Sequence, residues 1–234
     1  MKIAQGYRLC KLWKQRRISH IHYIRFQKAR AELIQKELQH FVKQSQGKKL
    51  LDIGSHRGGY SIAFAQKGYR VTGIEVDSGR VATAQQAAQE QKLTIPFLQG
   101  DARDMPFQDN EFDIAILSNV IEHIPNTPQL LTEIYRILKP QGILYIQFPP
   151  YQGWFGGHVY WKFMPLPLHY LPRSLANTLI QHFHLDSELH EVEQITLKKI
   201  KKLSKSIGFK IKLVKTIPSF MGEYAPFCKV ILEK

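Results

Sequence analysis

The stretch LLDIGSHRGGYSIAFAQKGYRVTGIEVD, residues 50–77, decides the fold. Leu50, Leu51 and Ile53 read as a short buried strand, and Gly54, Gly58 and Gly59 then form a turn. A helix over about 59–67 and a second strand over about 70–75, ending in Glu75, complete the unit. Strand, glycine turn, helix and acid-tipped strand make one half of an open α/β sheet. In such sheets ligands sit beyond the carboxyl ends of the strands, and the acid accepts hydrogen bonds from ribose hydroxyls. Glu75 lies 21 residues past Gly54, which suits an adenosine-containing ligand. His56 stands where a dinucleotide fingerprint has the glycine that lets the backbone approach a pyrophosphate. A ligand without a pyrophosphate there tolerates that side chain. The glycine pattern alone does not choose among such ligands.

Working outward, short apolar runs alternate with amphipathic helical stretches, the pattern of parallel strands joined by crossover helices. Further strands are expected at 95–99, 112–118 and 142–148, with helices at 78–91 and 128–138. Thr127 is a candidate cap and Pro128 suits the first turn of the latter helix. Leu130, Leu131, Ile134, Ile137 and Leu138 form its buried stripe. Thr196, Ile200, Leu203 and Ile207 form another helical stripe closed by Gly208. Strands at 209–215 and 227–232 follow with no helix between them, so they are expected to pair antiparallel.

Four segments in order then carry a family resemblance: LLDIGSHRGGYSIAFA, VTGIEVD, LQGDARDMPFQDNEFDIAILSNVIEHI and RILKPQGILYIQFP, within residues 48–149. The chain resembles the class I S-adenosylmethionine-dependent methyltransferases, in particular the small-molecule branch that includes the ubiquinone and menaquinone biosynthesis enzymes. The resemblance implies a Rossmann-like seven-stranded, mostly parallel sheet with helices on both faces and an antiparallel last strand. It implies S-adenosylmethionine as cofactor. Asp52, Gly54, Ser55 and Gly58 would cradle its aminocarboxypropyl end, and Glu75 would bind the ribose. Asp101 and Ala102 would meet the adenine, and Ser118 and Asn119 would lie under the sulfonium. His56, Arg57 and Gln141 depart from the family pattern. Each acid also has a plainer reading: Asp52 as a cap of the glycine turn, Glu75 as a solvated strand end, Asp101 as a loop stabiliser.

Methyl transfer from a sulfonium is an in-line displacement with a neutral leaving group, so the protein supplies alignment and a pocket that excludes water. An acceptor that must lose a proton needs a base, and two histidines qualify by position, His123 in VIEHI and His158 in GGH. His158 falls in a stretch over 148–172 rich in proline, glycine and aromatic residues, which cannot be a regular helix or a long strand. We read residues 150–190 as an acceptor lid, with Trp154, Phe155, Tyr160 and Trp161 as apolar walls; ordinary core is the alternative. The expected acceptor is a small apolar or amphipathic molecule. No metal-ligand spacing is present, and none is expected.

The 234 residues suit one α/β domain, here 48–234, with an appendage over 1–47. The chain carries 33 Lys and Arg against 19 Asp and Glu; residues 1–49 hold thirteen of the former and two of the latter. The fold proper is thus nearly neutral and the appendage is a basic arm. Tyr7, Trp13, Tyr23 and Phe26 interleave with its cations, and Ala31, Ile34, Leu38, Phe41 and Val42 recur at helical spacing up to Gly47. That half is expected to pack on the domain. The arm fits three roles: a solvated tail leading into a lid helix, peripheral contact with an anionic membrane, or docking to nucleic acid. An RNA- or protein-directed methyltransferase, or a cofactor-binding module without catalysis, are the competing functions. Against base methylation, the fourth strand ends in Ser118, Asn119, Val120 and Ile121 rather than an NPPY-type tetrapeptide. Two cysteines, Cys10 and Cys228, and no apolar run of ~18 residues lead us to expect a cytoplasmic protein.

Overall fold

The computed structural model describes residues 20–150, 159–161, 164–165, 168–187, 193–217 and 227–234. Seven strands form the main sheet: β1 (Lys49–Ile53), β2 (Arg70–Glu75), β3 (Phe97–Gln99), β4 (Phe112–Ser118), β5 (Leu138–Phe148), β9 (Lys210–Ile217) and β10 (Phe227–Glu233). Their order is β3-β2-β1-β4-β5-β10-β9. Every pairing from β3 to β5 is parallel, and β10 runs antiparallel to both β5 and β9, as the sequence pattern requires. The chain crosses from one side of β1 to the other between β3 and β4. This switch point opens a crevice at the carboxyl end of the sheet.

Alternation along the buried strands splits the core in two. Leu51, Ile53, Ala115, Leu117, Leu144 and Ile146 face α4 (Thr127–Ile137) and α6 (Leu197–Ile207). Leu50, Ile114, Ile116, Ile143 and Tyr145 face the other way. There they meet α1 (His20–Leu38), α2 (Gly59–Ala65) and α3 (Ser78–Glu90). Helix α1 packs directly on α2 through Ala31, Ile34 and Leu38, all buried. Near its end Glu37 meets the ammonium of the buried Lys229 on β10 at 3.4 Å and accepts from the Tyr145 hydroxyl at 3.2 Å. A buried ion pair broken on one side costs about 3 to 5 kcal/mol, so this contact fixes where α1 lies.

Four local expectations change. Helix α1 stops at Leu38, with Phe41 and Val42 in the turn that follows it rather than in a helix reaching Gly47. The cap of α4 is Asn126, whose side chain accepts from the Gln129 N–H at 3.4 Å, with Thr127 already inside the helix. Strand β5 starts at Leu138, before the expected 142. Gln141, at φ 64°, donates its N–H to the carbonyl of Lys234, so the carboxyl terminus draws the Pro140 turn into the sheet. Helix α5 (Arg173–His182) was not anticipated. Within 150–190 the described residues also form β6 (Val159–Trp161), β7 (Met164–Pro165) and β8 (Asp186–Ser187), a small antiparallel sheet of order β7-β6-β8. The short strands agree with the expectation that proline and glycine forbid long ones. No described helix is long and apolar enough to cross a membrane.

Candidate active site

A cavity of about 530 Å³ lies at the switch point. Gly54, Glu75, Asp101, Ala102, Ser118, Asn119 and His123 all line it, so four strand ends and the turn after β4 bring these expected residues together. Asp52, Ser55 and Gly58 do not line it. They sit behind its wall, buried, and hold the loop in place. His158 lies outside the described residues.

The loop after β1 sets the floor. Gly54 has φ 69°, and a Cβ there would stand 2.6 Å from Cγ2 of Val120, so only glycine permits this approach of β1 to the end of β4. Asp52, beneath it, accepts from the Ser61 hydroxyl at 2.6 Å. Burial raises its pKa to about 7, with the charge of Glu75 adding to the rise and the Ser61 hydrogen bonds opposing it. His56 has φ 51°, so the loop keeps the left-handed turn of a glycine while carrying a side chain.

At the ends of β2 and β3 the acids are held by their neighbours. Glu75 accepts the His56 N–H at 2.9 Å and the Asp77 N–H at 3.3 Å, with the Arg80 guanidinium at 3.6 Å. Asp101 accepts the Arg103 backbone N–H at 2.8 Å, and the Arg103 Nε meets both carboxylate oxygens at 3.0 Å. The hydrogen bonds from Arg103 hold the Asp101 carboxyl below its ordinary range. Between these acids Val76 lines the cavity with 67% of its surface exposed, an apolar platform for a flat ring. His123 is exposed at the opposite rim beside Ile124 and Pro125.

The cover is the lid helix that the sequence offered as one role of the arm, although none of its residues was assigned to the site. Tyr23, Gln27 and Arg30 of α1 line the cavity too. Gln27 accepts the Gly59 N–H at 3.1 Å and donates to the Tyr23 hydroxyl at 3.1 Å. The Tyr23 ring lies 4.9 Å from that of His56, and the Arg57 guanidinium lies 5.6 Å from the Tyr23 ring centre. Burial pushes the Tyr23 phenol up to about 12, which keeps it a hydrogen-bond donor. The available signal was the spacing of 23, 27 and 30, one helical face beside the apolar stripe.

The geometry defines a Rossmann-like α/β domain with its cavity at the switch point. Residues 51–146 match the family model described as a methyltransferase domain. An uncharacterized methyltransferase from Mycobacterium avium is 36% identical over 112 residues, covering 48% of this chain and 44% of that protein. A SAM-dependent methyltransferase from Methanosarcina mazei superposes with TM-score 0.61 at 25% identity, over 85% of this chain and 96% of its own. A Haemonchus contortus phosphoethanolamine N-methyltransferase, in complex with phosphomonomethylethanolamine and S-adenosylhomocysteine, gives TM-score 0.59 at 25% identity over 79% of this chain and 38% of that one. The chain spans about half the length of the curated relatives it matches, or less. Sheet order, motif order and these matches make the chain similar to the class I S-adenosylmethionine-dependent methyltransferases.

Proposed function

We propose that this protein transfers a methyl group from S-adenosylmethionine to a small, apolar or amphipathic acceptor. One observation carries the reading: Gly54, Glu75, Asp101, Ser118 and Asn119, from four strand ends, line one cavity at the switch point. Its 530 Å³ falls in the range of small-molecule pockets. The residues fit the donor. Glu75 would accept from the ribose hydroxyls, Asp101 from the adenine amino group, and the exposed Val76 would cover the ring. Ser118 and Asn119 would lie beneath the sulfur, and the bare Cα of Gly54 leaves room for the chain between them. When bound, the donor supplies an electrophilic methyl on a sulfonium. The protein's part is to align it, to exclude water and to take the acceptor's proton.

His123, on the cavity rim, is the proposed base. The acceptor side is more apolar than the nucleoside side, with Val120, Ile124 and Pro125 on the rim. Tyr170, Leu171, Leu175 and Phe183 expose large apolar surface in the segment that follows β5. The small acceptor-like molecule held by the Haemonchus contortus enzyme supports a small-molecule acceptor here. Calorimetric titration with S-adenosylmethionine, S-adenosylhomocysteine and NAD tests the donor: the first two should bind and NAD should not. Transfer of a labelled methyl group into lipid, quinone and RNA extracts then tests the acceptor class. Label appearing only in RNA would replace this reading with the docked RNA enzyme.

A further inference from the structure

Between Glu133 and Asp186 the sequence holds no aspartate or glutamate, while Arg136, Lys139, Lys162, Arg173 and four histidines fall within that span. The same span carries most of the large apolar side chains exposed among the described residues: Tyr170, Leu171, Leu175 and Phe183, with only Val76 and Leu98 elsewhere. Helix α5 explains why. Ala176 and Ile180, one turn apart, pack inward with Leu168 and Leu185 in a small satellite cluster. Leu175, Leu179 and Phe183 recur four residues apart on the adjacent stripe. Leu179 on that stripe is half-buried, but Leu175 is 48% and Phe183 58% exposed. Tyr170, 59% exposed, and Leu171 stand just before the helix. A lone surface leucine is ordinary, whereas an outward apolar stripe repeated over two turns marks a contact surface.

Charge selects what the stripe meets. A second copy of the chain would bring a net charge of +14 against +14, and the acid-free span offers it no carboxylate to pair with. An anionic surface is attracted instead. Nucleic acid is gripped through several Lys or Arg on its phosphates, but α5 carries a single arginine and presents leucine and aromatic side chains. Leucine and aromatic residues beside a few cations, without acids, suit the headgroup boundary of a bilayer, where the apolar face sinks in and the cations meet anionic lipid. At ten residues α5 is too short to cross that bilayer, so the contact is peripheral. The span leaves the main sheet at the end of β5. There Gln147 pairs with Ser118, and its carbonyl accepts the Asn119 N–H at 2.7 Å, so the chain departs from the rim of the cavity.

We propose that the outward stripe of α5, with Tyr170 and Leu171, docks the protein on the surface of an anionic lipid bilayer. Such docking is independent of the chemistry in the cavity. The test is sedimentation of the full chain with phosphatidylcholine vesicles, with and without phosphatidylglycerol, for wild type and variants whose folding is checked by circular dichroism melts. Wild type should sediment with the phosphatidylglycerol vesicles and not with phosphatidylcholine alone. The pair Leu175→Ser and Phe183→Ser leaves every charge in place and should lower partitioning about 10- to 100-fold, as loss of two inserted apolar side chains predicts. Phe183→Leu, which stays apolar, should bind within about threefold of wild type. Tyr170→Ser, outside the helix, should cost about 3- to 10-fold and carries the test should the serine pair unfold. Undiminished vesicle binding by the serine pair and by Tyr170→Ser would hand membrane contact to the basic arm and overturn the proposal. Absence of wild-type binding to phosphatidylglycerol vesicles would overturn it as well. So would a lipid-free dimer in analytical ultracentrifugation that the serine pair abolishes, since the stripe would then belong to a second copy.

Discussion

At its nucleoside end the cavity is made of strand ends whose polar groups are held by the residues around them, whereas its opposite end is closed by side chains arriving from a separate helix. Glu75 is gripped by the backbone of His56 and Asp77, and Asp101 by Arg103, two residues on. Tyr23, Gln27 and Arg30 instead reach the site because α1 is docked by Ile34, Leu38 and the Glu37–Lys229 pair. The first arrangement follows from local chain geometry once the sheet forms. The second depends on tertiary packing. The two ends should therefore fail separately, and the nucleoside end should survive damage to α1.

The largest effect is expected where the two ends meet. Gly54→Ala places a methyl against Val120 and forces a side chain into left-handed backbone, costing about 2 to 4 kcal/mol of stability. Donor affinity should fall more than about 100-fold, since the floor under both ends moves. Urea unfolding and calorimetry read the two losses. Donor binding that survives intact would mean the donor does not cross this loop.

Asp52 separates the ends by pH. An unfolded aspartate loses its proton near pH ~4 and the folded one near 7, so the folded state holds the extra proton between those values. Stability is therefore highest at the acid side of that window and falls as pH rises through it. The decline this one group contributes should be about 4 kcal/mol in urea midpoints converted to free energy, and Asp52→Asn should flatten it. Because Asp52 and Ser61 belong to the β1–α2 unit, the same flattening should appear in an Arg30→Ala background. A dependence on Arg30 would show the two ends to be coupled.

Glu75→Ala probes the nucleoside end alone. It should weaken adenosine-containing ligands by about 10- to 30-fold whether or not they carry the amino-acid tail, as loss of charge-assisted hydrogen bonds predicts. Methylthioadenosine and S-adenosylhomocysteine titrated side by side give the ratio. A loss confined to the tailed ligand would invert the assignment of the ends.

The difference between the ends also explains what could be read from the sequence. Glu75 and Asp101 sit at strand ends whose apolar runs and glycine punctuation are local, so their meeting at one rim followed from the sheet order. Asp52, Ser55 and Gly58 belong to the same motif, yet they back the wall instead of lining it, because alternation along β1 and the turn point them elsewhere. Arg30 and Gln27 carry no motif, since what places them is the crossing of α1 over Gly59. Helix α5 escaped notice because Arg173–His182 follows a proline-rich stretch and packs only a small satellite cluster around Ala176. The cap at Asn126 was hidden by the better-known preference for threonine before proline. Asn126 takes left-handed backbone, φ 60°, which asparagine tolerates.

The smallest expected effect tests whether His56 is part of the joint between the two ends. Its left-handed backbone costs about 1 kcal/mol relative to glycine, while its ring against Tyr23 returns about 0.5 to 1.5 kcal/mol. His56→Gly should therefore shift stability by no more than about 0.5 kcal/mol, the two terms nearly cancelling. In a Tyr23→Ala background the ring contact is already gone, so the same change should stabilise by about 1 kcal/mol. A double-mutant cycle in urea measures that difference. Equal effects in both backgrounds would mean the rings are neighbours without interaction energy, and would leave Gln27 and the buried face of α1 as the attachment over the glycine loop.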